Sequence, residues 1–519
     1  MKRSSKNTNG STEDHADGKP SVPSEPFFAS LPDNLQHLRQ VLGNSYDLII
    51  REFRFGAEGR LHAAICYTDG LVDTDAVQTH ILDTLTSDRE SSGPHIWQDL
   101  RDRILGVSNI REAADYGTLL TALLSGEVIF LMDGQAQCFR ISMKGWESRS
   151  VTEPSTESVV RGPREGFTEN LTTNTAMIRR KIKDPNLWLE QKEIGRVTKT
   201  NVVVMHIHGI ANDKIVAEVH RRLDLIDIDS ILSGGYIEEL IQDETYTPFP
   251  TIYNTERPDV IAAELLEGKV AILVDGAPFV LVVPALFINY LHSAEDYYQR
   301  ADISSLIRIL RFIGIFIGLL GPSLYIAITT FHQEMLPTQL LISLAAQREG
   351  IPFPAFIEAL MMEVTFEILR EAGLRMPKAI GQAVSIVGTL VIGSAAVEAG
   401  IVSAGMVIVV SITAISSFVV PGVGMSISIR MLRFPLMGLA ASFGIFGIIV
   451  GLIALVLHMC SLRSFGVPYM APFAPIVLDD LKDTLFRLPR WALVTRPRLI
   501  NQQNIRRSRT SRPKPDSRV

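Results

Sequence analysis

The chain has 519 residues and a mass of 57.4 kDa, with 46% hydrophobic and 20% charged residues, a formal net charge of −6 and a mean hydropathy of +0.19. Soluble domains carry about 25% charged residues, so this chain is slightly too apolar for its length, and the charge-free stretches that follow Arg311 exclude a purely soluble enzyme. Three cysteines, Cys66, Cys138 and Cys460, without C-x-x-C spacing exclude a disulfide scaffold and read as reduced thiols buried as small hydrophobes.

Residues 1–30 are rich in Ser, Lys, Asn, Gly, Pro and Asp and are expected to be a disordered tail. No apolar run follows Lys2 and Arg3, so no signal peptide is expected, and the soluble part should remain cytoplasmic. An internal repeat follows. Leu123-Leu-Ser-Gly-Glu-Val-Ile-Phe-Leu-Met-Asp-Gly134 matches Leu265-Leu-Glu-Gly-Lys-Val-Ala-Ile-Leu-Val-Asp-Gly276, each a helix end, a short apolar strand and an Asp-Gly turn into a second strand. Upstream, strands ending at Gly70 and Gly209 each precede an amphipathic helix. The period occurs twice, which predicts a duplicated α/β domain, with subdomains over 31–160 and 185–300 joined by a basic linker, 161–184.

His206 and His208 share one face of a predicted strand, as a metal pair or as hydrogen-bonded histidines; no further ligand stands at useful spacing. In the linker, Arg161, Arg164, Glu165, Arg179 and Arg180 read as a subunit or interdomain contact, or as an anion or headgroup site. No phosphate-binding loop, dinucleotide fingerprint, nucleophile elbow or H-E-x-x-H is present. No enzyme activity, cofactor or metal is expected.

After Arg311, four stretches lack Asp, Glu, Lys and Arg: Phe312–Gln333, Ala379–Val397, Ala399–Ile429 and Phe434–Leu462. A helix needs about 20 apolar residues to cross a bilayer. An all-α polytopic membrane domain is therefore expected over 305–480. Arg308 and Arg311 place the start of its first span on the cytoplasmic side. Two weaker segments, Pro352–Leu369 and the proline-broken Ser464–Leu478, give six membrane-entering segments, the last re-entrant. That count puts Arg430, Arg433 and the tail 487–519 inside. The tail has ten Lys/Arg and one acid, Asp516, and should lie near anionic lipid. No aromatic residues interleave with Arg506, Arg507, Arg509 and Arg512, so nucleic acid is not an expected partner.

Glu363, Glu367 and Glu371 form one helical stripe, facing either a bundle interior or water at the interface. Gln382, Ser385 and Thr389 share a face of the third stretch, which fits helix packing or a narrow conduit between identical subunits. Gly447-Ile-Ile-Val-Gly451 is a helix-packing motif.

Arg161-Gly-Pro-Arg-Glu-Gly-Phe167, Ile182-Lys-Asp-Pro-Asn186, Glu349-Gly-Ile-Pro-Phe-Pro-Ala-Phe-Ile-Glu-Ala359, Gly381-Gln-Ala-Val-Ser-Ile-Val-Gly388 and Phe465-Gly-Val-Pro-Tyr469, in this order, resemble the GerA family, the A subunits of spore germinant receptors. Ser394 stands where the family often has Gln. The resemblance implies a multi-pass protein of the spore inner membrane, with both termini cytoplasmic. Its expected partners are a transporter-like B subunit, a lipoprotein C subunit, further copies of itself and membrane lipid. It implies an oligomeric, nutrient-gated cation channel, for which Glu363, Glu367, Gln382, Ser385 and Thr389 are the candidate lining or gating residues. A non-conducting scaffold or germination-amplifying paralogue and a secondary transporter are the alternatives.

Overall fold

The computed structural model describes residues 25–56, 60–86, 97, 100, 110–145, 153–154, 156–377, 393–501, 504–508, 510 and 512–513. The expected disordered tail lies almost wholly outside them, as do Gln382, Ser385 and Thr389. The chain forms two compact units, Met1–Trp146 with Ile182–Pro185, and Glu147–Lys181 with Asn186–Val519.

The first unit contains α1 (Leu31–Val41), β1 (Leu48–Phe55), β2 (Leu61–Thr68), β3 (Ile110–Ala113), α2 (Tyr116–Leu123), β4 (Glu127–Met132) and β5 (Cys138–Ser142). The strands make one sheet in the order β1-β2-β4-β5-β3, every pair antiparallel. Period-two alternation divides its apolar residues between two faces. Ala63, Ile65, Tyr67, Phe130 and Phe139 belong to one core. Ala64, Cys66, Ile129, Leu131 and Cys138 pack with the residues of α1 and α2 in the other.

The second unit repeats this plan with α3 (Leu171–Lys181), β6 (Leu187–Ile194), β7 (Thr200–Ile207), α4 (Asp213–Asp224), α5 (Gly234–Ile241), β8 (Tyr253–Thr255), α6 (Pro258–Leu266), β9 (Val270–Val274) and β10 (Val280–Val283). Its order is β6-β7-β9-β10-β8, again antiparallel throughout. Each module is thus an antiparallel sheet with helices, not a parallel α/β sheet, because the Asp-Gly turns close hairpins. Gly134 and Gly276 both hold φ of 79°, which a Cβ would oppose.

The repeat runs deeper than the two matched strings. Asp133 accepts from the Leu31 amide at 2.9 Å and Asp275 from the Leu171 amide at 3.3 Å, so each turn carboxylate satisfies an amide at the start of its module's first helix. Asn34 and Asn174, both buried, bracket the preceding residue pair identically: each side chain accepts from and donates to one backbone residue, Phe28 and Thr168 respectively. The segment 161–184 is therefore more than a linker: α3 opens the second module.

The second unit continues into a helical bundle of α7 (Ala301–Thr330), α8 (Thr338–Arg348), α9 (Ala355–Arg375), α10 (Gly393–Glu398), α11 (Ala404–Ser417) and α12 (Val423–Ser461). Among the described residues, α7 and α12 are long and apolar enough to cross a membrane. On α7, Gly314, Gly318 and Gly321 form a small-residue face. A Cβ at Gly321 would stand 2.7 Å from Thr413 Oγ1, and Gly314 lies against Ser416. Gly405 meets Tyr325, so α11 runs antiparallel to α7.

Two expected spans are cut differently. Ala399–Ile429 breaks after Ser417, where Pro421 and Gly422 interrupt the helix before α12 begins. α12 folds back on itself at Gly444 (φ 61°, ψ −142°). In a straight helix residues 436 and 451 would be about 22 Å apart; here a Cβ on Gly451 would lie 2.6 Å from Leu436. The Gly447/Gly451 motif therefore packs on Leu436 and Leu439 of the same chain, and α12 is a helical hairpin whose tip abuts His332.

Ser464–Leu478, expected as a re-entrant segment, begins against the second sheet module. Its two-residue strands Arg463–Ser464 and Val467–Pro468 pair, Ser464 bonds Thr251 and Ala285, and Tyr469 accepts from Phe287. Ser464 and Tyr469 thus tie the start of this segment to the second sheet module. The tail is likewise no free basic arm in its described part. Arg496 donates to the Leu266, Asn504 and Arg506 carbonyls, and Arg507 pairs with Glu267 at 2.8 Å.

Candidate functional site: a charge ladder in the helix bundle

α9 begins after Pro354, which pre-sets the chain for helix entry, and brings Glu358 and Glu363 to the bundle interior, with the half-buried Glu367 at its edge. Glu363 pairs with Arg433 of α12; both are essentially fully buried. One turn on, Glu367 meets Arg430 at 2.8 Å. The spacings complement each other: four residues on α9 and three on α12 both keep the side chains on one helical face. At the other end, Glu358 accepts from the amide and hydroxyl of Ser403 at 3.0 and 2.9 Å and lies 3.3 Å from Arg348. Arg370 stands over the Phe418 ring, 5.1 Å from Cζ to centroid. Glu371, expected on the same stripe, pairs instead with Arg375 in a more exposed position.

Arg433 has a second task. Pro322 inside α7 has no N–H, which leaves the Gly318 carbonyl without its helical donor. Arg433 Nε donates to that oxygen at 2.7 Å. One guanidinium thus joins α9, α7 and α12. The sequence carried this signal as an interior proline in a glycine-rich span, but not its distant partner. Arg430 and Arg433, expected on the cytoplasmic side, lie on α12 within the helical bundle, because that helix begins before them.

A second buried cluster lies at the base of α7. Arg308 donates to Asp296 at 3.1 Å, to Asp483 at 2.9 Å and to the Thr484 carbonyl at 3.1 Å. Arg311 donates to Asp296 at 2.6 Å and to the Leu291 carbonyl at 3.1 Å. These two arginines, expected as flanking charges, tie the helix to the sheet module and to the C-terminal segment.

The other sequence candidates fall elsewhere. Glu165 bridges Arg180 at 3.4 Å and Lys181 at 2.9 Å, Arg179 is buried, Arg161 is exposed, and Arg164 stands 3.9 Å from Glu153. They do not join the ladder. The adjoining stretch is pinned by Arg257, which donates to the Glu157 and Pro163 carbonyls and to Asp259. Burial pushes the Glu157 carboxyl up to about 7, against the hydrogen bond from Thr255. His208 stacks on Trp188 at 4.0 Å, and His206, held down to about 4 by burial, meets the same ring edge-on. The pair serves aromatic packing.

Residues 36–499 match the family of the Bacillus/Clostridium GerA spore germination protein. Spore germination protein KA of Bacillus subtilis (strain 168) is 50% identical over 487 residues, 94% of this chain and 90% of that protein. The uncharacterized membrane protein YfkQ of the same strain is 45% identical, over 92% of this chain and 93% of its own length. The crystallised N-terminal domain of the A subunit of the Bacillus megaterium spore germinant receptor GerK3 is 44% identical, covers 51% of this chain and 98% of that one, and superposes with a TM-score of 0.42. By the match across nearly its whole length, this chain belongs to the GerA spore germination family.

Proposed function

We propose that this chain is the A-type subunit of a spore germinant receptor, a multi-pass protein of the spore inner membrane that acts in germination as a self-associating, nutrient-gated cation channel. It works with a transporter-like B subunit and a lipoprotein C subunit, and no step of its action is enzymatic. The observation that carries this reading is the set of ion pairs between α9 and α12 within a helical bundle. Charge at bilayer depth is costly and marks an ion path, a relay or a switch.

In this reading the paired ladder is the closed state. Arg433 neutralises Glu363, and Arg430 neutralises Glu367, so no free carboxylate faces a passing cation. Moving α9 away from the α12 hairpin would expose both glutamates as a cation-attracting pair. The base cluster of Arg308 and Arg311 gives the sheet module mechanical purchase on α7, hence a route from cytosolic assembly to the ladder.

Exchanging the charges tests this. In spores with this chain as the sole A subunit, Glu363→Arg should abolish the nutrient response, and Glu363→Arg with Arg433→Glu should restore a measurable part of it. Glu363→Ala spores that germinate like wild type at normal chain abundance would refute the switch.

A further inference from the structure

The cluster at the base of α7 is unbalanced. Around Tyr297 stand three guanidiniums, with Cζ at 5.4 Å (Arg308), 5.4 Å (Arg487) and 5.0 Å (Arg490) from the ring centroid. With Arg311 this makes four cations, against the carboxylates of Asp296 and Asp483. Both carboxylates are already used: Asp296 by Arg308 and Arg311, Asp483 by Arg308 and the Tyr297 hydroxyl.

Arg487 is the residue left over. Its side chain is about nineteen-twentieths buried, at 5% exposure, yet its recorded side-chain bond is to the Gln299 carbonyl, at 2.8 Å. Its Nε and the NH2 of Arg308 are buried donors without an acceptor among the described residues. Arg487 also sits at the start of α7, its amide donating to Ser305 at 3.0 Å, where the helix dipole adds further positive potential. A buried guanidinium beside three others, with no carboxylate bonded to it among the described residues and Asp483 nearby already engaged, is unfavourable unless an anion joins it. Arg490, on the same short segment, is exposed and gives such an anion a way in.

The neighbourhood is also apolar on its outer side. Leu306 and Leu310, 59% and 53% exposed, continue the outer stripe of α7 down to this level, and Phe486 beside Arg487 is 55% exposed. Arginines with spare donors beside exposed leucine and phenylalanine match a phosphate group attached to an apolar body.

We propose that Arg487 and Arg490, backed by Arg308, form a binding site for a phosphate group, supplied by an anionic membrane lipid or by a free phosphate. Guanidinium N–H groups would hold the phosphate oxygens, and Leu306, Leu310 and Phe486 would take the glycerol and upper acyl chain of a lipid. The lipid source rests on the membrane reading above; the phosphate chemistry does not.

The test uses the full chain, purified in mild detergent and stripped of lipid. Thermal unfolding is followed while phosphatidylglycerol, phosphatidylcholine or inorganic phosphate is titrated in. The wild type should be stabilised by phosphatidylglycerol and not by phosphatidylcholine. Arg490→Gln, a change at an exposed side chain, should raise the half-saturating concentration about tenfold, as one lost charge-assisted contact implies. Arg487→Gln should abolish the shift, and Arg498→Gln should leave it intact. A shift with inorganic phosphate alone assigns the site to a free phosphate; a shift with phosphatidylglycerol alone assigns it to lipid; either supports the site. No shift with either anion, or equal saturation by wild type and Arg490→Gln, would overturn it.

Discussion

Glu363 and Arg433 hold each other in an interior where neither charge would persist alone. Removing one partner strands the other, which costs about 3–5 kcal/mol, whereas replacing both with apolar side chains of similar volume is far milder. Arg433→Met should therefore lower the unfolding midpoint in detergent sharply, and Glu363→Met with Arg433→Met should recover much of the loss. Full recovery is not expected, because the Gly318 carbonyl freed by Pro322 loses its donor in both variants. Outside the bundle, two titratable groups set opposite pH limits. His206 has a folded value near 4 against an ordinary 6.5, so between these the unfolded chain takes up a proton that the fold refuses. Stability falls as pH drops from 6.5 toward 4, by about 3 kcal/mol for a shift of this size, and melting curves of His206→Leu should lack this slope. Glu157, raised to about 7 from an ordinary 4.5, acts the other way: its contribution is complete below pH 4.5 and is lost as pH rises through 7. Glu157→Gln should therefore lose the destabilisation that this carboxyl causes between pH 4.5 and 7, and its melting temperature, relative to wild type, should rise across that range.

At the scale of elements, the turn at Gly444 decides how the last third of the chain is cut. The charge-free run Phe434–Leu462 read as one span because hydropathy registers composition and not a single backbone reversal. The signal was Gly444 itself, with φ of 61° and a Cβ position 2.6 Å from His332. Leu436→Cys with Gly451→Cys, in a Cys460→Ser background, should cross-link readily, as a straight 39-residue helix would forbid. Gly444→Ala should destabilise the bundle by about 1–3 kcal/mol through backbone strain and crowding. The duplicated sheet module was the most legible element, since an apolar strand followed by Asp-Gly specifies a hairpin locally. The Asn34 and Asn174 brackets were not legible as a pair, because their partners are backbone atoms that any residue supplies. The Glu363 stripe was visible by its four-residue spacing, but its arginines lay some sixty to seventy residues away, between two charge-free stretches, and only the position of α12 unites them.

For the whole molecule, the sequence partition into acidic module, apolar helices and basic tail overstated how separate these parts are. In the second unit the C-terminal segment returns to the sheet module, and Asp483 and Thr484 hold Arg308 at the base of α7. Buried ion pairs thus join the sheet module to the first long helix, and the Gly318 carbonyl of that same helix joins it to Arg433. As proposed above, this ladder closes a cation path. Potassium flux through proteoliposomes containing the purified chain tests it most directly, comparing wild type with Arg433→Gln and with Glu363→Gln plus Arg433→Gln. The account predicts a low wild-type flux, a leak at least tenfold higher with Arg433→Gln, and a smaller leak once Glu363 is neutralised too. Equal and negligible flux in all three, at matched incorporation and with the variants folded, would contradict it.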